Sequence, residues 1–409
     1  MKIPSVTPAL TSATALAASP VASLDTSSGT APGPALPRYL ILTAHHDYRT
    51  PRRSSIHFIA DQLAKRGSLR FFSLRYSHLS RYKGDIRTPL DARANRVEVR
   101  NGVECYLWKT PIHPFAMRQA WLQPLEKLLF GLYQHRPCPT LVQWIQQADV
   151  LIYESGIASI FFEQAKRLNP QARHIYLASD DMQTIQAASF AQRSFLRMAP
   201  QMDALCLVSP ALAPDIHSRH NSYYVPHGLD DSLFALGEPS PYRPGVHAVS
   251  VGSMLFDADF FAEASHAFPQ VNFHIIGSGQ PHQARYAANV TVYGHMPYAN
   301  TIGYIKHASI GIAPYKGKAV PAYLADSSMK MLQYDFFGIP CVCPHSVVGG
   351  YGGRFGYAPE QPHAIRQAVQ AALNAPHGRH RQILNWSQVT DRLINPAAFA
   401  DTRILRSEE

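Results

Sequence analysis

The segment 311–338, GIAPYKGKAVPAYLADSSMKMLQYDFFG, is rich in groups that bind anions. An irregular loop leads to Asp326, Ser327 and Ser328, where a helix is expected to start. Such a start presents free backbone N–H groups and the positive end of the helix dipole to an anion. Lys330 and Gln333 follow three residues apart on one helix face, so both would reach a diphosphate held there. The competing structural reading is an ordinary capped helix with a solvated Lys330.

A second constellation is Ser179, Asp180 and Asp181, directly after the strand-like run HIYLA at 174–178. A carboxylate at the C-terminal edge of a sheet, facing a cleft, serves as a general base. Alternatively both acids cap a helix starting at Thr184. Gly252, Ser253 and Met254 follow one apolar run, and Gly277, Ser278 and Gly279 follow the next. Small residues at strand C-termini let backbone approach a phosphate or a base.

Two patterns invite a metal reading that their surroundings do not support. Asp257 and Asp259 have the Asp-x-Asp spacing with which some sugar transferases hold a cation, but an N-cap followed by a first-turn acid accounts for both. His45, His46 and Asp47 are consecutive, so neighbours point apart and no third ligand is visible; a loop lining an acceptor pocket is the better reading. No metal site and no cofactor are expected.

These residues need a scaffold that sets them at strand ends. From residue 37 onward short apolar runs alternate with segments of helical period, the pattern of parallel sheets built from βαβ units. Strands are expected at 39–44, 69–74, 150–153, 174–178 and 204–208, and again at 246–251, 271–276, 290–293, 310–313 and 339–343. The stretch 231–245, with several Pro and Gly, reads as a linker. The expected fold is α/β, with two Rossmann-like doubly wound domains facing a cleft, over 37–230 and 246–385. Residues 1–36 read as a disordered Ala/Ser/Thr/Pro-rich tail. Residues 386–409 carry no strand pattern and are expected to pack back across the first domain.

Composition narrows the function. At 46% hydrophobic and 16% charged the chain has ample material for a core, so it is not a disordered protein. The net charge of +10 suits anionic partners, but no dense Lys/Arg run or nucleic-acid module accompanies it. A basic nucleic-acid-binding protein is the weakest of the readings. Five cysteines without a Cys-x-x-Cys pair suit buried thiols in a reducing compartment. No run approaches the roughly 18–20 apolar residues of a membrane-spanning helix. The segment 114–133, PFAMRQAWLQPLEKLLFGLY, instead mixes Trp121, Leu125 and Leu128 with Arg118 and Lys127, as in a helix lying at a membrane interface or one packed into a core.

On these motifs the chain, after its tail, resembles the small family of bacterial glucuronosyltransferases of xanthan assembly, which have the two-domain fold called GT-B. The resemblance implies an inverting, metal-independent transfer from UDP-glucuronic acid to a mannose on a polyprenyl-diphosphate-linked oligosaccharide, by a peripheral protein at the cytoplasmic face of the bacterial inner membrane. It implies Asp180 as the catalytic base and Met254, Tyr315, Ser328, Met329, Lys330 and Gln333 as donor-binding residues. The pair of Glu residues eight apart that many retaining GT-B enzymes carry at this helix is absent here, leaving the ribose and glucuronate contacts open. A GT-B-like epimerase acting on a UDP-sugar is the alternative enzyme, needing no lipid acceptor.

Overall fold

The computed structural model describes residues 36–216, 220–317 and 320–404. Of the tail expected over 1–36, only Leu36 falls among them.

The first half forms an eight-stranded sheet from β1 (Arg38–Thr43), β2 (Ser68–Ser77), β3 (Val97–Arg100), β4 (Val103–Thr110), β5 (Val150–Glu154), β6 (Arg173–Ala178), β7 (Ala204–Leu207) and β8 (Ser222–Tyr224). The strands lie in the order β3-β4-β2-β1-β5-β6-β7-β8, all parallel except the β3–β4 pair. The second sheet holds β9 (Val246–Val251), β10 (Val271–Ile276), β11 (Val290–Tyr293), β12 (Ile310–Ile312), β13 (Cys341–Pro344) and β14 (Arg354–Tyr357), in the order β11-β10-β9-β12-β13-β14. Strands buried on both faces need no polar alternation. This is why β7 (ALCL) reads as an unbroken apolar run and β5 (VLIYE) as one closed by a single acid, both buried at every residue.

Four strands escaped the sequence reading, among them the three-residue β8. β3 and β4 form an antiparallel hairpin around Asn101 and Gly102, both with left-handed backbone. The Asn-Gly pair was the available signal, since the type I′ hairpin turn requires positive φ at both central positions. The last is β14, four residues at the sheet edge. The helix considered from Thr184 is a turn instead, and the next helix begins at Ser189.

The two halves meet at several points. Ser209 Oγ, beyond β7, donates to Asp326 Oδ2 at 2.5 Å, and Phe58 packs against Tyr298 with ring centroids 5.9 Å apart. The helix Trp386–Ile394 packs on the helix Ser55–Ala64, with Trp386 stacked on Phe58 and Arg66 paired to Asp391 at 2.9 Å. All five cysteines are free and buried, and no helix among the described residues is long and apolar enough to cross a membrane.

Candidate functional site

The helix start expected to meet an anion belongs to the helix Met329–Phe337. Ser328 is its N-cap, its Oγ accepting from the Met331 N–H at 3.4 Å and lying 2.5 Å from the Tyr315 hydroxyl. A short helical turn, Leu324–Ser327, precedes it. Asp326 lies in that turn, with its carboxylate taken up by Ser209 and Tyr351, so it stays out of the helix start where the sequence pattern put it. The helix is seated by Tyr334, whose hydroxyl donates to the carbonyls of Val249 and Ile312. Its ring lies where a Cβ on Gly311 would come within 2.5 Å, so only glycine fits in β12 at that point.

Lys330 is the informative residue. Its side chain is buried, its Nζ has no hydrogen-bond partner among the described residues, and it lies over the Tyr315 ring at 5.1 Å from the centroid. Burial lowers its pKa to about 8, so it stays largely protonated at neutral pH. An uncompensated ammonium in a protein interior costs several kcal/mol, far more than a cation–π contact of about 2 kcal/mol returns. An anion placed beside it would offset that cost. Gln333 is buried one turn further, its Nε2 donating to the Tyr298 hydroxyl at 3.2 Å.

The opposite wall of this recess comes from the loop after β9. Gly252 has φ +94, and a Cβ there would meet open space. Met254 and Leu255 are exposed, and the Lys316 N–H donates to the Leu255 carbonyl at 2.6 Å while the Asp257 N–H donates to Pro314, stitching this loop to the one carrying Tyr315. Met254, Tyr315, Ser328 and Lys330 thus belong to two joined loops and one helix start. Asp257 caps the helix Ala258–Ala267 through the Asp259 N–H, and Asp259 is paired with Arg285.

In the first half, Asp180 and Asp181 divide their work. Asp181 accepts from the N–H groups of Gln183 and Thr184 and from the Thr184 hydroxyl, closing the turn after β6. Asp180 makes none of these bonds, and both aspartates border a pocket walled by Tyr176, Met182, Phe195 and Leu212. Burial, and then the neighbouring Glu154, push its pKa up to about 7. Tyr323, brought from the second half, stands beside Asp180 and opposes part of that rise, although its buried hydroxyl makes no hydrogen bond of normal geometry. The Ser179 hydroxyl is likewise buried without a partner among the described residues. A carboxylate of this basicity next to unpaired hydroxyls is suited to receive a sugar hydroxyl and take its proton.

Glu154, which the sequence reading missed, ends β5. It accepts from the Thr43 hydroxyl and stands 3.6 Å from His46 Nε2, and burial raises its pKa to about 7. Its only sequence signal is a lone acid closing an apolar strand. Asp47 belongs to a buried ion pair with Arg49 and also accepts from Ser73. Among the described residues no three His, Cys, Asp or Glu side chains are grouped to hold a metal.

Away from the cleft, the helix Gln123–Gln134 buries Phe130 and Tyr133 and turns Leu125, Leu128 and Leu132 outward, continuing from exposed Trp121. The spacing 121, 125, 128, 132 is a single helix face.

Comparison with known proteins gives three kinds of match. Residues 41–208 match the family described as glucuronosyltransferase GumK, N-terminal domain. Over 368 residues, 90% of this chain and 92% of the relative, the sequence is 57% identical to the UDP-glucuronate:glycolipid 2-beta-glucuronosyltransferase of Xanthomonas campestris pv. campestris. Among solved structures, Anabaena Alr3699/HepE in complex with UDP and glucose superposes with a TM-score of 0.58 at 11% identity, covering 88% of this chain and 99% of that one. The E. coli trehalose-6-phosphate structure bound with UDP-2-fluoro glucose gives 0.55 at 9%, covering 88% and 95%. The common architecture is GT-B.

Proposed function

Because the chain belongs to the glucuronosyltransferase GumK family, we propose that this glycosyltransferase moves glucuronate from UDP-glucuronate to the mannose of a polyprenyl-diphosphate-linked oligosaccharide in exopolysaccharide assembly, with inversion and without a metal. The name of the 57% identical relative supports the donor and the glycolipid acceptor. The observation that carries the chemistry is the partnerless Lys330 ammonium at the start of the helix Met329–Phe337, with Asp180 provided by the other half of the cleft.

In this reading Lys330, Ser328 and the free N–H groups of the helix start hold the diphosphate. Met254, Tyr315, Met329 and Gln333 line the donor site around it. Asp180 removes the proton from the acceptor hydroxyl as its oxygen attacks the anomeric carbon from the face opposite UDP. The glycosidic bond electrons pass to the β-phosphate oxygen, where Lys330 and the helix dipole stabilise the growing charge. A cation is not needed for that role, and the two acids spaced to bind one are committed to a cap and to Arg285.

The outward stripe of Trp121, Leu125, Leu128 and Leu132 supports peripheral attachment of the first domain to an anionic membrane, on the cytoplasmic face where a nucleotide sugar is available. The test is to incubate the pure protein with several UDP-sugars and membrane lipid extract. Transfer of glucuronate into the lipid fraction, unaffected by EDTA, supports the reading, whereas conversion of a UDP-sugar without any lipid product would make it an epimerase.

A further inference from the structure

At the C-terminal end of β2 the register against β4 shifts between Ser73 and Tyr76, and Arg75 within the shift has φ +56. A long side chain in left-handed backbone is strained, and such strain gathers at binding sites. The irregularity aims Arg75 at the sheet edge where ligands bind in open α/β folds.

The local charges leave Arg75 uncompensated. The nearby carboxylate of Asp85 is occupied by Arg87, accepting from Nε at 3.0 Å and from Nη2 at 2.8 Å. Arg87 is buried and complete, donating also to the carbonyls of Ala44, Leu74 and Arg75. Arg75 makes no ion pair among the described residues; its guanidinium lies 3.2 Å from His45 Nε2. Burial, and then the charge of Arg87, depress its pKa, and burial followed by the charges of Arg75, Arg87 and Lys83 keeps His113 neutral. Two guanidinium groups, with Lys83 near enough to act on His113, share one consumed carboxylate, an excess of positive charge that calls for an anion.

Its position suggests which anion. The Arg75 N–H donates to the Tyr133 hydroxyl at 2.8 Å, and Tyr133 lies on the inner face of the helix whose outer face is the Leu125, Leu128 and Leu132 stripe. Along the strand order β2-β1-β5-β6, Arg75 is three strand spacings from the end that carries Asp180, about 14 Å at ~4.8 Å each. We propose that Arg75, flanked by His45 and Lys83, binds the phosphate group that links the acceptor's sugar to its lipid, leaving the sugar to extend along the sheet edge to Asp180. This inference rests on the lipid acceptor proposed above. Phospholipid headgroups offer the same chemistry, and the experiment separates the two sources.

Arg75→Asn keeps a residue tolerant of left-handed backbone and removes the charge, while Arg75→Lys keeps the charge without the fork. The readout is the ratio of acceptor KM values for the phosphate-linked lipid oligosaccharide and the same oligosaccharide as a phosphate-free glycoside. In Arg75→Asn we expect the KM for the phosphate-linked acceptor to rise about tenfold or more, with partial recovery in Arg75→Lys and no change in the KM for UDP-glucuronate. Loss of binding to acceptor-free phosphatidylglycerol vesicles with an unchanged KM ratio would assign Arg75 to headgroups and overturn the acceptor site. An unchanged ratio with unchanged vesicle binding in the folded variant overturns any phosphate role. Calorimetric titration with inorganic pyrophosphate, the donor site saturated with UDP, reads the subsite without catalysis. Arg75-dependent pyrophosphate binding in a protein that transfers to no lipid would keep the anion site and sink the acceptor reading alone.

Discussion

Glu154, the last residue of β5, stands close enough to Asp180, two residues beyond β6, to raise its pKa. Both carboxyls titrate near 7, Asp180 through burial and then Glu154, and Glu154 through burial opposed by the Thr43 hydroxyl. A base poised near the working pH combines the ionised form with a strong pull on the proton. The groups facing the pair are Thr43 and His46 from the β1 end, Asp181 from the turn after β6, and Tyr323 from the other half.

The pH profile should report this relationship. kcat/KM is expected to rise with pH and level off above about 7. In Glu154→Gln the rising limb should move to lower pH, because removing the neighbouring negative charge eases ionisation of Asp180. A profile unchanged in the folded variant would mean that the two carboxyls do not communicate.

Stability should carry the same signature with a definite sign. Both carboxyls have folded values near 7, above the unfolded ones near 4. As pH rises from about 4 the unfolded chain releases these protons first, so stability present at low pH is lost up to about 7 and then levels. Melting temperature against pH should slope less over this window in Asp180→Asn and in Glu154→Gln than in the parent protein.

The two aspartates after β6 should separate by assay. Asp180→Asn is expected to fold, to bind UDP normally and to lose about 10² to 10⁴ in rate. Asp181→Asn gives up a carboxylate with three hydrogen bonds, and should lose about 1 kcal/mol of stability while staying active. An active Asp180→Asn beside a folded but dead Asp181→Asn would reverse the assignment.

Lys330→Met should stabilise the ligand-free protein and abolish tight UDP binding, since it removes an unpaired buried charge that only the ligand compensates. Gln333→Ala should weaken UDP binding less. Calorimetry and thermal melting with and without UDP check both. Activity lost in EDTA and restored by Mn²⁺ would return Asp257 and Asp259 to consideration as metal ligands.

Replacing Trp121 and Leu125 with Asp should release the protein from anionic vesicles in sedimentation, and salt should weaken attachment of the parent protein. Both positions are exposed, so folding should survive. Undiminished binding by the folded double variant would move the attachment surface elsewhere.

Much of this protein is written locally. The βαβ rhythm was legible because strands covered on both faces are unbroken apolar runs, and the aspartates after HIYLA and the Ser328–Lys330 helix start were legible because strand ends and caps depend on neighbours within a few residues. Weakly marked edge strands escaped: β3 is largely exposed, and β14 has only four residues. What only the tertiary structure decided is the electrostatic condition of each group. The raised pKa of Asp180 needs its burial and then Glu154 from another strand, the lone ammonium of Lys330 needs the burial around Tyr315, and the free charge of Arg75 needs Asp85 to be spent on Arg87. The outward turn of the Trp121 and Leu125 stripe depends on which helix face Phe130 and Tyr133 bury. Spacing fixes which residues share a face, but solvent exclusion and partner choice come from chain segments distant in sequence, and those alone set the charge a side chain carries.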